Sequence, residues 1–277
     1  MDDDLSGGPE YPVPGGVDRR AVGAKESARA GRYWWDGAAD AYQAEHGEFL
    51  RDAGFIWSPE GLDEAEARLL GDVTGARVLE IGCGAGQCSR WLRAQGVAEV
   101  VAFDLSWRQL QHSRRIDEQT DLRVPTVQAD AQRLPFATDS FDVVFSAFGA
   151  FPFVPAAESA LAEAARTLRP GGRFVFSVTH PIRWCFPDDP TEQGLTVQQS
   201  YFDRRAYVEE DGDGRAIYAE HHHTIGDWVR GIASAGLVLR DLIEPEWPQD
   251  NDQVWGGWGP VRGRIIPGTA VFSAVKP

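Results

Sequence analysis

The residues with the clearest capacity for chemistry are three glycines at positions 82, 84 and 86, which directly follow the apolar run 78–81. Because glycine lacks a side chain, such a turn can adopt positive φ angles and bring its backbone close to a ligand. A helix is predicted next, since apolar residues recur at positions 88, 91 and 92 before Gly96. This order of strand, glycine turn and helix is typical of a site for a nucleotide-like ligand.

The neighbours of these glycines argue against two common glycine-rich motifs. Gln87 stands where the nicotinamide-binding pattern Gly-x-Gly-x-x-Gly has its third glycine. A phosphate-binding P-loop needs a Gly-Lys-Ser/Thr ending, but lysine occurs only at positions 25 and 276. Glu80 would repel a pyrophosphate, whereas it would suit the ammonium group of a methionine moiety. The pattern therefore predicts a ligand that is positively charged near the turn.

The run Glu-Ile-Gly-Cys-Gly-Ala-Gly at 80–86 resembles motif I of the class I S-adenosylmethionine-dependent methyltransferases. Further motifs follow in the family's order. A predicted second strand over 99–103 ends at Asp104, a short third strand over 126–129 precedes Asp130, and a fourth strand over 143–148 precedes the turn 168–172. The resemblance runs through about residues 71–277 and is closest to small-molecule enzymes of actinobacterial type.

This resemblance implies that S-adenosylmethionine binds at the ends of these strands and leaves as S-adenosylhomocysteine. Asp104 would accept hydrogen bonds from the ribose hydroxyls, Leu105 would flank the adenine, and Asp130 would accept from the adenine amine. Asp104 could instead favour the start of the next helix, and Asp130 could cap a turn. The implied cofactor-binding residues are Glu80, Gly82, Cys83, Gly84, Gly86, Asp104, Leu105, Asp130, Ala131 and Ser146.

Histidine is the residue to look for as a catalytic group, because a hydroxyl acceptor needs its proton removed near neutral pH, whereas a neutral amine does not. His180 follows the fifth predicted strand and His222 lies in a triple histidine, so these two are the predicted catalytic residues; structural support of a lid is their alternative role. No metal is expected, since adjacent histidines point in different directions. The predicted substrate-binding residues are Tyr33, Trp34, His46, Trp184 and Tyr201.

The alternation of strand and helix patterns predicts an α/β fold, with a doubly wound, Rossmann-like, mostly parallel seven-stranded sheet. We expect a disordered tail over 1–30, an N-terminal helical cap over 31–70 and an S-adenosylmethionine-binding domain over 71–277. A substrate lid inserted at 180–222 is predicted, because a structureless loop of that length is improbable. Its short strands are expected at 201–202, 207 and 217–218, and segments 237–243 and 269–275 should close the sheet as an antiparallel pair.

The formal net charge of −15 would repel nucleic acid, so no nucleic-acid partner is expected. Three cysteines are too few for a disulfide framework and favour the cytoplasm. No apolar run approaches the roughly 20 residues that span a bilayer, so no membrane partner is expected. The predicted partner is a small-molecule substrate, and the chain is expected to be a monomer or a homodimer.

The sequence therefore predicts an enzyme that transfers a methyl group from S-adenosylmethionine to a metabolite or natural product, with oxygen or nitrogen methylation favoured. Two alternatives stay open. The chain could bind S-adenosylmethionine for other chemistry or for regulation, or it could be a nicotinamide-dependent reductase, whose fold is similar.

Overall fold

The computed structural model describes residues 10–277 and contains ten strands and seven α-helices in that part of the chain. The strands are β1 (Gly16–Arg20), β2 (Arg77–Ile81), β3 (Glu99–Asp104), β4 (Thr126–Gln128), β5 (Phe141–Ser146), β6 (Leu168–Thr179), β7 (Ala206–Glu210), β8 (Ala216–Glu220), β9 (Val238–Ile243) and β10 (Thr269–Val275). The helices are α1 (Ala24–Leu50), α2 (Glu64–Ala67), α3 (Gln87–Ala94), α4 (Trp107–Thr120), α5 (Ala157–Thr167), α6 (Ile225–Ser234) and α7 (Pro260–Gly263).

A seven-stranded sheet with the order β4-β3-β2-β5-β6-β10-β9 forms the centre of the fold. The four pairs from β4 to β6 are parallel, and β10 is antiparallel to both β6 and β9. The predicted α/β class, the mostly parallel seven-stranded sheet and the closing antiparallel pair are confirmed. The strand order reverses between β2 and β5, and ligands of such sheets bind in the crevice beside the carboxyl ends of the strands at that point.

Both faces of this sheet are buried, as its apolar strands require. Along β6, Phe174 and Phe176 belong to one apolar cluster, which also contains Trp228 of α6. Val175 points to the opposite face and packs in a second cluster with Phe55 and Trp57. The two clusters hold the sheet rigidly between helical layers, so its carboxyl edge is a fixed platform for a site.

The expected disordered tail over 1–30 is wrong for residues 16–30. Strand β1 pairs antiparallel with β7, from Gly16 opposite Glu210 to Arg20 opposite Ala206. Arg20 also donates hydrogen bonds to Glu26 and Glu210, each at 2.8 Å, which ties the strand to α1. Local sequence gave no sign of this pairing, because the partner strand lies far along the chain. Residues 1–9 lie outside the described residues.

Segment 180–222 contributes β7 and β8, which form a second, three-stranded sheet with β1 in the order β1-β7-β8. The strands predicted at 207 and 217–218 are present, but residues 201 and 202 form a turn. α1 packs on this sheet, with the rings of Trp34 and Tyr218 4.9 Å apart. The segment is therefore joined to the N-terminal helix. In the described part of the chain, no helix has the length and apolar character needed to cross a membrane.

Helix α2 is a single turn. Asp63 accepts a hydrogen bond from the Ala65 N–H and so begins the helix. The buried Glu64 carboxylate accepts from the backbone N–H groups of Leu69 and Leu70. Because these two N–H groups bond to the Glu64 side chain, residues 69 and 70 fold back over the start of the helix, and the helix ends after one turn.

Candidate functional site

The glycine turn between β2 and α3 has φ angles of +70°, +51° and +76° at Gly82, Gly84 and Gly86. The N–H groups of Gly82 and Cys83 donate to the Phe103 carbonyl at the end of β3, at 3.0 and 2.9 Å. A Cβ atom at Gly82 would lie 2.7 Å from the backbone nitrogen of Ala150, so glycine is required there by space as well as by conformation. The turn is fixed between β3 and the loop after β5.

A cleft opens above this turn, at the carboxyl edge of the sheet. Its acidic lining side chains are Glu80, Asp104 and Asp130, from the ends of β2, β3 and the loop after β4. Its aromatic lining side chains are Trp35, Tyr42, Phe103, Phe148, Phe153 and Trp255. The predicted cofactor-binding residues Gly82, Cys83, Gly84, Leu105 and Ala131 also line it. Carboxylates therefore meet aromatic rings in one cavity at the carboxyl edge of the sheet.

Glu80 is 2% exposed, and the Ser89 hydroxyl donates a hydrogen bond to its Oε2. Burial raises the pKa of Glu80 to about 7. Because α3 begins directly after the glycine turn, Ser89 lies in its first turn and faces back to β2. A cation placed in the cleft would stabilise the charged form of this carboxylate.

Asp104 ends β3 and accepts hydrogen bonds from the N–H groups of Gly84 and Ser106, both at 2.8 Å. Burial raises its pKa to about 6, against the lowering effect of these two bonds. Ser106 is also the cap of α4, since its hydroxyl accepts from the Gln109 N–H. The start of the next helix, which was the alternative role considered for Asp104, is therefore capped by Ser106. A carboxylate has about four acceptor sites, so Asp104 keeps capacity for hydroxyl donors in the cleft.

The remaining predicted cofactor residues differ in their placement. Asp130 lines the cleft, and its Oδ1 accepts from the Gln132 N–H at 2.9 Å, which is the turn-capping contact considered above. Burial raises the pKa of the Cys83 thiol well above its ordinary value, so this side chain is uncharged. Gly86 and Ser146 do not contribute to the lining. Ser146 is 0% exposed within β5, and its hydroxyl has no hydrogen-bond partner.

Three glutamine side chains fasten α1 to the two helices beside the glycine turn. Gln43 of α1 donates to Gln109 of α4 at 3.1 Å, and Gln87 of α3 donates to Gln43 at 3.2 Å. All three line the cleft. The N-terminal helix is thus a wall of the site.

The predicted catalytic residues His180 and His222 do not line the cleft. The Nε2 atom of His180 lies 2.9 Å from Oε1 of Glu244, and its Nδ1 accepts from the Ile182 N–H. The Nε2 atom of His222 lies 2.7 Å from the Tyr201 carbonyl. Burial lowers the pKa of both rings. Segment 180–222 is held against β1 and α1, so it does not bring either ring to the glycine turn.

Four of the five predicted substrate-binding residues also lie away from the cleft. Tyr33 is 57% exposed on an outer face of α1, and Trp34 packs against Tyr218. Trp184 is buried, with its ring 5.6 Å from that of His222. The Tyr201 hydroxyl accepts from the Ile225 N–H at the start of α6. These side chains support the segment that contains them.

His46, the fifth, stands one layer behind the cleft. Its ring stacks on Trp255 at 3.7 Å between centroids and 8° between planes, and Trp255 faces the cavity. The pKa of His46 is lowered, mainly by burial. This neutral ring therefore positions Trp255 and does not reach the cleft itself.

Sequence reasoning missed several lining residues of α1, namely Ser27, Trp35 and Tyr42. Together with Gly31 they lie at successive intervals of four, four and seven positions along one helical face, and this spacing was the available signal. Ser27 is buried and its hydroxyl lies 2.8 Å from Nε2 of His221. His221 thus contacts a lining residue of the cleft, as His46 does, and burial lowers its pKa to about 4.

Known proteins resemble this chain in both sequence and fold. The profile of a methyltransferase domain matches residues 78–172. A demethylmenaquinone methyltransferase of Mycobacterium sp. (strain KMS) is 33% identical over 216 residues, which are 75% of this chain and 79% of the relative. Methyltransferase GfsG of Streptomyces halstedii is 34% identical over 147 residues, 52% of this chain and 48% of the relative. The chain thus spans about half the length of some of these curated relatives.

Two solved structures show the same fold. A putative S-adenosylmethionine-dependent methyltransferase from Listeria monocytogenes aligns with a TM-score of 0.64 at 22% identity, over 76% of this chain and 94% of that one. A 1,6-didemethyltoxoflavin-N1-methyltransferase from Burkholderia thailandensis, solved with bound 1,6-didemethyltoxoflavin and S-adenosylhomocysteine, aligns with a TM-score of 0.59 at 20% identity. That alignment covers 95% of this chain and 94% of the other.

Proposed function

This chain belongs to the S-adenosylmethionine-dependent methyltransferase family, and from that premise we propose that it methylates an oxygen or nitrogen atom of a small molecule. Its cofactor is S-adenosylmethionine, the cofactor of the family, which leaves as S-adenosylhomocysteine. The single observation that carries the proposal is the cleft, in which the buried carboxylate of Glu80 and the half-buried carboxylate of Asp104 flank a glycine turn of positive φ angles. Such a turn accepts a ligand close to its backbone, and the carboxylates favour one that is cationic.

We assign the cofactor contacts from the residues that line the cleft. Glu80 is assigned to the side of the methionine ammonium group, because its carboxylate is buried beside the turn and gains most from a positive charge. Asp104 is assigned to the ribose hydroxyls, since Gly84 and Ser106 hold its carboxylate and leave acceptor sites free. Leu105 and Ala131 are assigned to the adenine, with Asp130 accepting from its amine. Ser146 is left out of the contact set, because it is enclosed in the core.

Methyl transfer requires the protein chiefly to orient the acceptor towards the methyl group. When bound, the cofactor supplies a methyl group activated by its sulfonium. The acceptor's lone pair would take this methyl group, the electron pair of the broken carbon–sulfur bond would stay on sulfur, and the acceptor's proton would be released to solvent with the product. The aromatic side chains of the cleft exclude bulk water and hold the acceptor in line, and such orientation can contribute roughly 7 to 11 kcal/mol. We assign no base role to His180 or His222, since neither reaches the cleft.

The test is formation of S-adenosylhomocysteine. The full chain is incubated with methyl-labelled S-adenosylmethionine and a library of neutral alcohols and amines, and both labelled product and S-adenosylhomocysteine are measured by mass spectrometry. Asp104→Ala serves as the matched inactive control. Equal amounts of the two products would support methyl transfer.

The rival functions give different readouts. Tight S-adenosylmethionine binding with no turnover across the library would favour a regulatory role, and methylthioadenosine formed from the decarboxylated cofactor would favour aminopropyl transfer. Binding of a nicotinamide cofactor in calorimetry, without binding of S-adenosylmethionine, would favour a reductase and refute the proposal.

A further inference from the structure

Arg90, a fully buried arginine, lies in the helix that directly follows the glycine turn. Its side chain is 0% exposed, and all three guanidinium nitrogens donate hydrogen bonds. Nε donates to the Asp52 carbonyl at 2.6 Å, and Nη2 donates to the Ala85 carbonyl at 2.5 Å. Nη1 donates to Oδ1 of Asp117 at 3.0 Å. A charge is buried at tolerable cost only when it is paired and hydrogen-bonded, so these three contacts explain how the guanidinium can be enclosed.

The contact to Ala85 fixes one peptide unit of the glycine turn. The Ala85 carbonyl accepts from Nη2 of Arg90. On the other side of the same peptide bond, the Gly86 N–H donates to the Cys83 carbonyl at 2.8 Å. A Cβ atom at Gly86 would lie 2.7 Å from the Ser113 hydroxyl of α4 and 3.2 Å from Nη1 of Arg90, so glycine lets both groups pack against the turn. Both ends of this peptide unit are held, and its orientation beside the cleft depends on the guanidinium.

The other two contacts tie the guanidinium to the segments on either side of the turn. Asp117 lies on α4, the helix that begins directly after Asp104 and its cap. Asp52 lies just after α1, between Leu50 and Gly54, which both line the cleft. One enclosed side chain therefore sets the positions of the glycine turn, of the helix beside Asp104 and of the α1 wall relative to one another.

Arg90 also acts on Glu80 through its charge. Burial raises the pKa of Glu80 to about 7, and the hydrogen bond from Ser89 and the positive charge of Arg90 oppose that rise. The other ionisable groups that face Glu80 are Asp104 of β3, Cys83 of the turn and Cys88 of α3. Asp104 raises the pKa of Glu80 further, and both thiols are neutral because burial raises their pKa well above the ordinary value. Arg90 therefore favours the carboxylate form of Glu80, which is the form assigned to the methionine ammonium group.

We propose that Arg90 is a positioning residue for the cofactor, which acts by holding the glycine turn, the end of α1 and α4 in one fixed arrangement. It does not touch the cofactor, because it does not line the cleft and its donors bond within the protein. Its charge adds a second effect, since it favours the ionised form of Glu80 near neutral pH. This inference rests on the proposed function, because it concerns how the same cleft receives S-adenosylmethionine.

Four variants of the full chain separate the geometry of this side chain from its charge. Arg90→Lys keeps the charge, but a single ammonium group cannot make the forked contacts of a guanidinium. Asp117→Asn removes the buried anion and leaves the cation in place. The double variant, Arg90→Gln with Asp117→Asn, removes both and so leaves no buried charge without its partner. Arg262→Lys is the matched control, because Arg262 is also 0% exposed and donates to three backbone carbonyls, yet it does not line the cleft.

Calorimetry measures the affinity of each protein for S-adenosylhomocysteine between pH 5.5 and pH 8.5, and the melting temperature reports on folding. In the wild type and in Arg262→Lys, affinity should rise alike through about pH 7 as Glu80 ionises. Arg90→Lys should bind about fivefold more weakly at pH 8, because the turn loses a hydrogen bond that holds it, and its pH midpoint should match the wild type. The midpoint of the double variant should move to higher pH, because the cation is gone, whereas that of Asp117→Asn should stay or move lower.

Three results would overturn the inference while leaving the proposed function standing. They are wild-type affinity in Arg90→Lys, a wild-type midpoint in the double variant, and a midpoint that moves to higher pH in Asp117→Asn as in the double variant. A merely structural arginine would lower the melting temperature in all of these variants without separating their midpoints. Failure of the wild type to bind S-adenosylhomocysteine would instead refute the proposed function, and this inference with it.

Discussion

Glu80→Gln should stabilise the ligand-free protein while weakening its cofactor binding. Burial raises the pKa of Glu80 from 4.5 to about 7. Between pH 4.5 and about pH 7, Glu80 is already ionised in the unfolded chain but still protonated in the folded chain. The free energy of unfolding therefore falls as the pH rises through this range. At about 1.4 kcal/mol per pKa unit, the cost of ionising Glu80 reaches about 3 kcal/mol above pH 7. Glutamine is neutral at every pH and its amide oxygen can accept from Ser89, so the variant avoids that cost.

The effect on binding has the opposite sign. A cationic cofactor prefers the ionised carboxylate, and at pH 6 about one tenth of Glu80 is ionised in the free protein, so wild-type affinity should be about tenfold weaker at pH 6 than at pH 8. In Glu80→Gln, affinity at pH 8 should be lower than in the wild type. The pH dependence of cofactor affinity should also be mostly lost in this variant, and only the smaller contribution from the ionisation of Asp104 should remain.

Urea unfolding without cofactor at pH 5 and pH 8 measures the first effect, and calorimetry with S-adenosylhomocysteine at pH 6 and pH 8 measures the second. Glu118→Gln, which neutralises an exposed carboxylate on α4, is the matched control and should follow the wild type in both. The reasoning is refuted if Glu80→Gln shows the wild-type difference in stability between the two pH values, or binds the cofactor as tightly as the wild type at pH 8.

Asp104→Ala should weaken S-adenosylhomocysteine binding at least tenfold in calorimetry, since each bond to a charged acceptor contributes about 1.5 to 3 kcal/mol; unchanged affinity in a folded variant would place the ribose elsewhere. Gly82→Ala should lower the melting temperature more than Gly84→Ala, because a Cβ at Gly82 would lie 2.7 Å from a backbone nitrogen, whereas at Gly84 the nearest atom is 3.9 Å away. Equal melting temperatures would show that the turn relaxes. His180→Gln and His222→Gln should keep kcat and its pH profile near the wild type in the methylation assay, and a large loss of kcat with intact folding would restore the catalytic role predicted from the sequence.

The glycine turn and Asp104 could be placed at the carboxyl edge of the sheet from the sequence, because their signals are local. A glycine turn between a strand and a helix specifies its own backbone path, and Asp104 lies where the neighbouring parallel strand must end. Helical phase was the harder problem. Adjacent residues of a helix point about 100° apart, so Trp34 and Trp35 face different partners, and only Trp35 lines the cleft.

The acceptor half of the cleft depends on contacts between distant segments, which no local pattern reports. Trp255 lies in a loop that has little regular structure, and it reaches the cavity because it packs against His46 and Tyr42 of α1. Strand β1 similarly finds its partner β7 about 190 residues later. Such pairings are selected by the packing of the whole chain, so the histidines of segment 180–222 could not be placed from their order in the sequence.

The pairing of β1 with β7 bears on how this protein can be handled. α1 starts four residues after β1 ends, and the same helix carries Trp35 and Tyr42 into the cleft. Truncation of residues 10–23 would strip one edge from the sheet on which α1 rests and would therefore disturb a wall of the cavity. Variants trimmed in this segment should therefore lose acceptor recognition first.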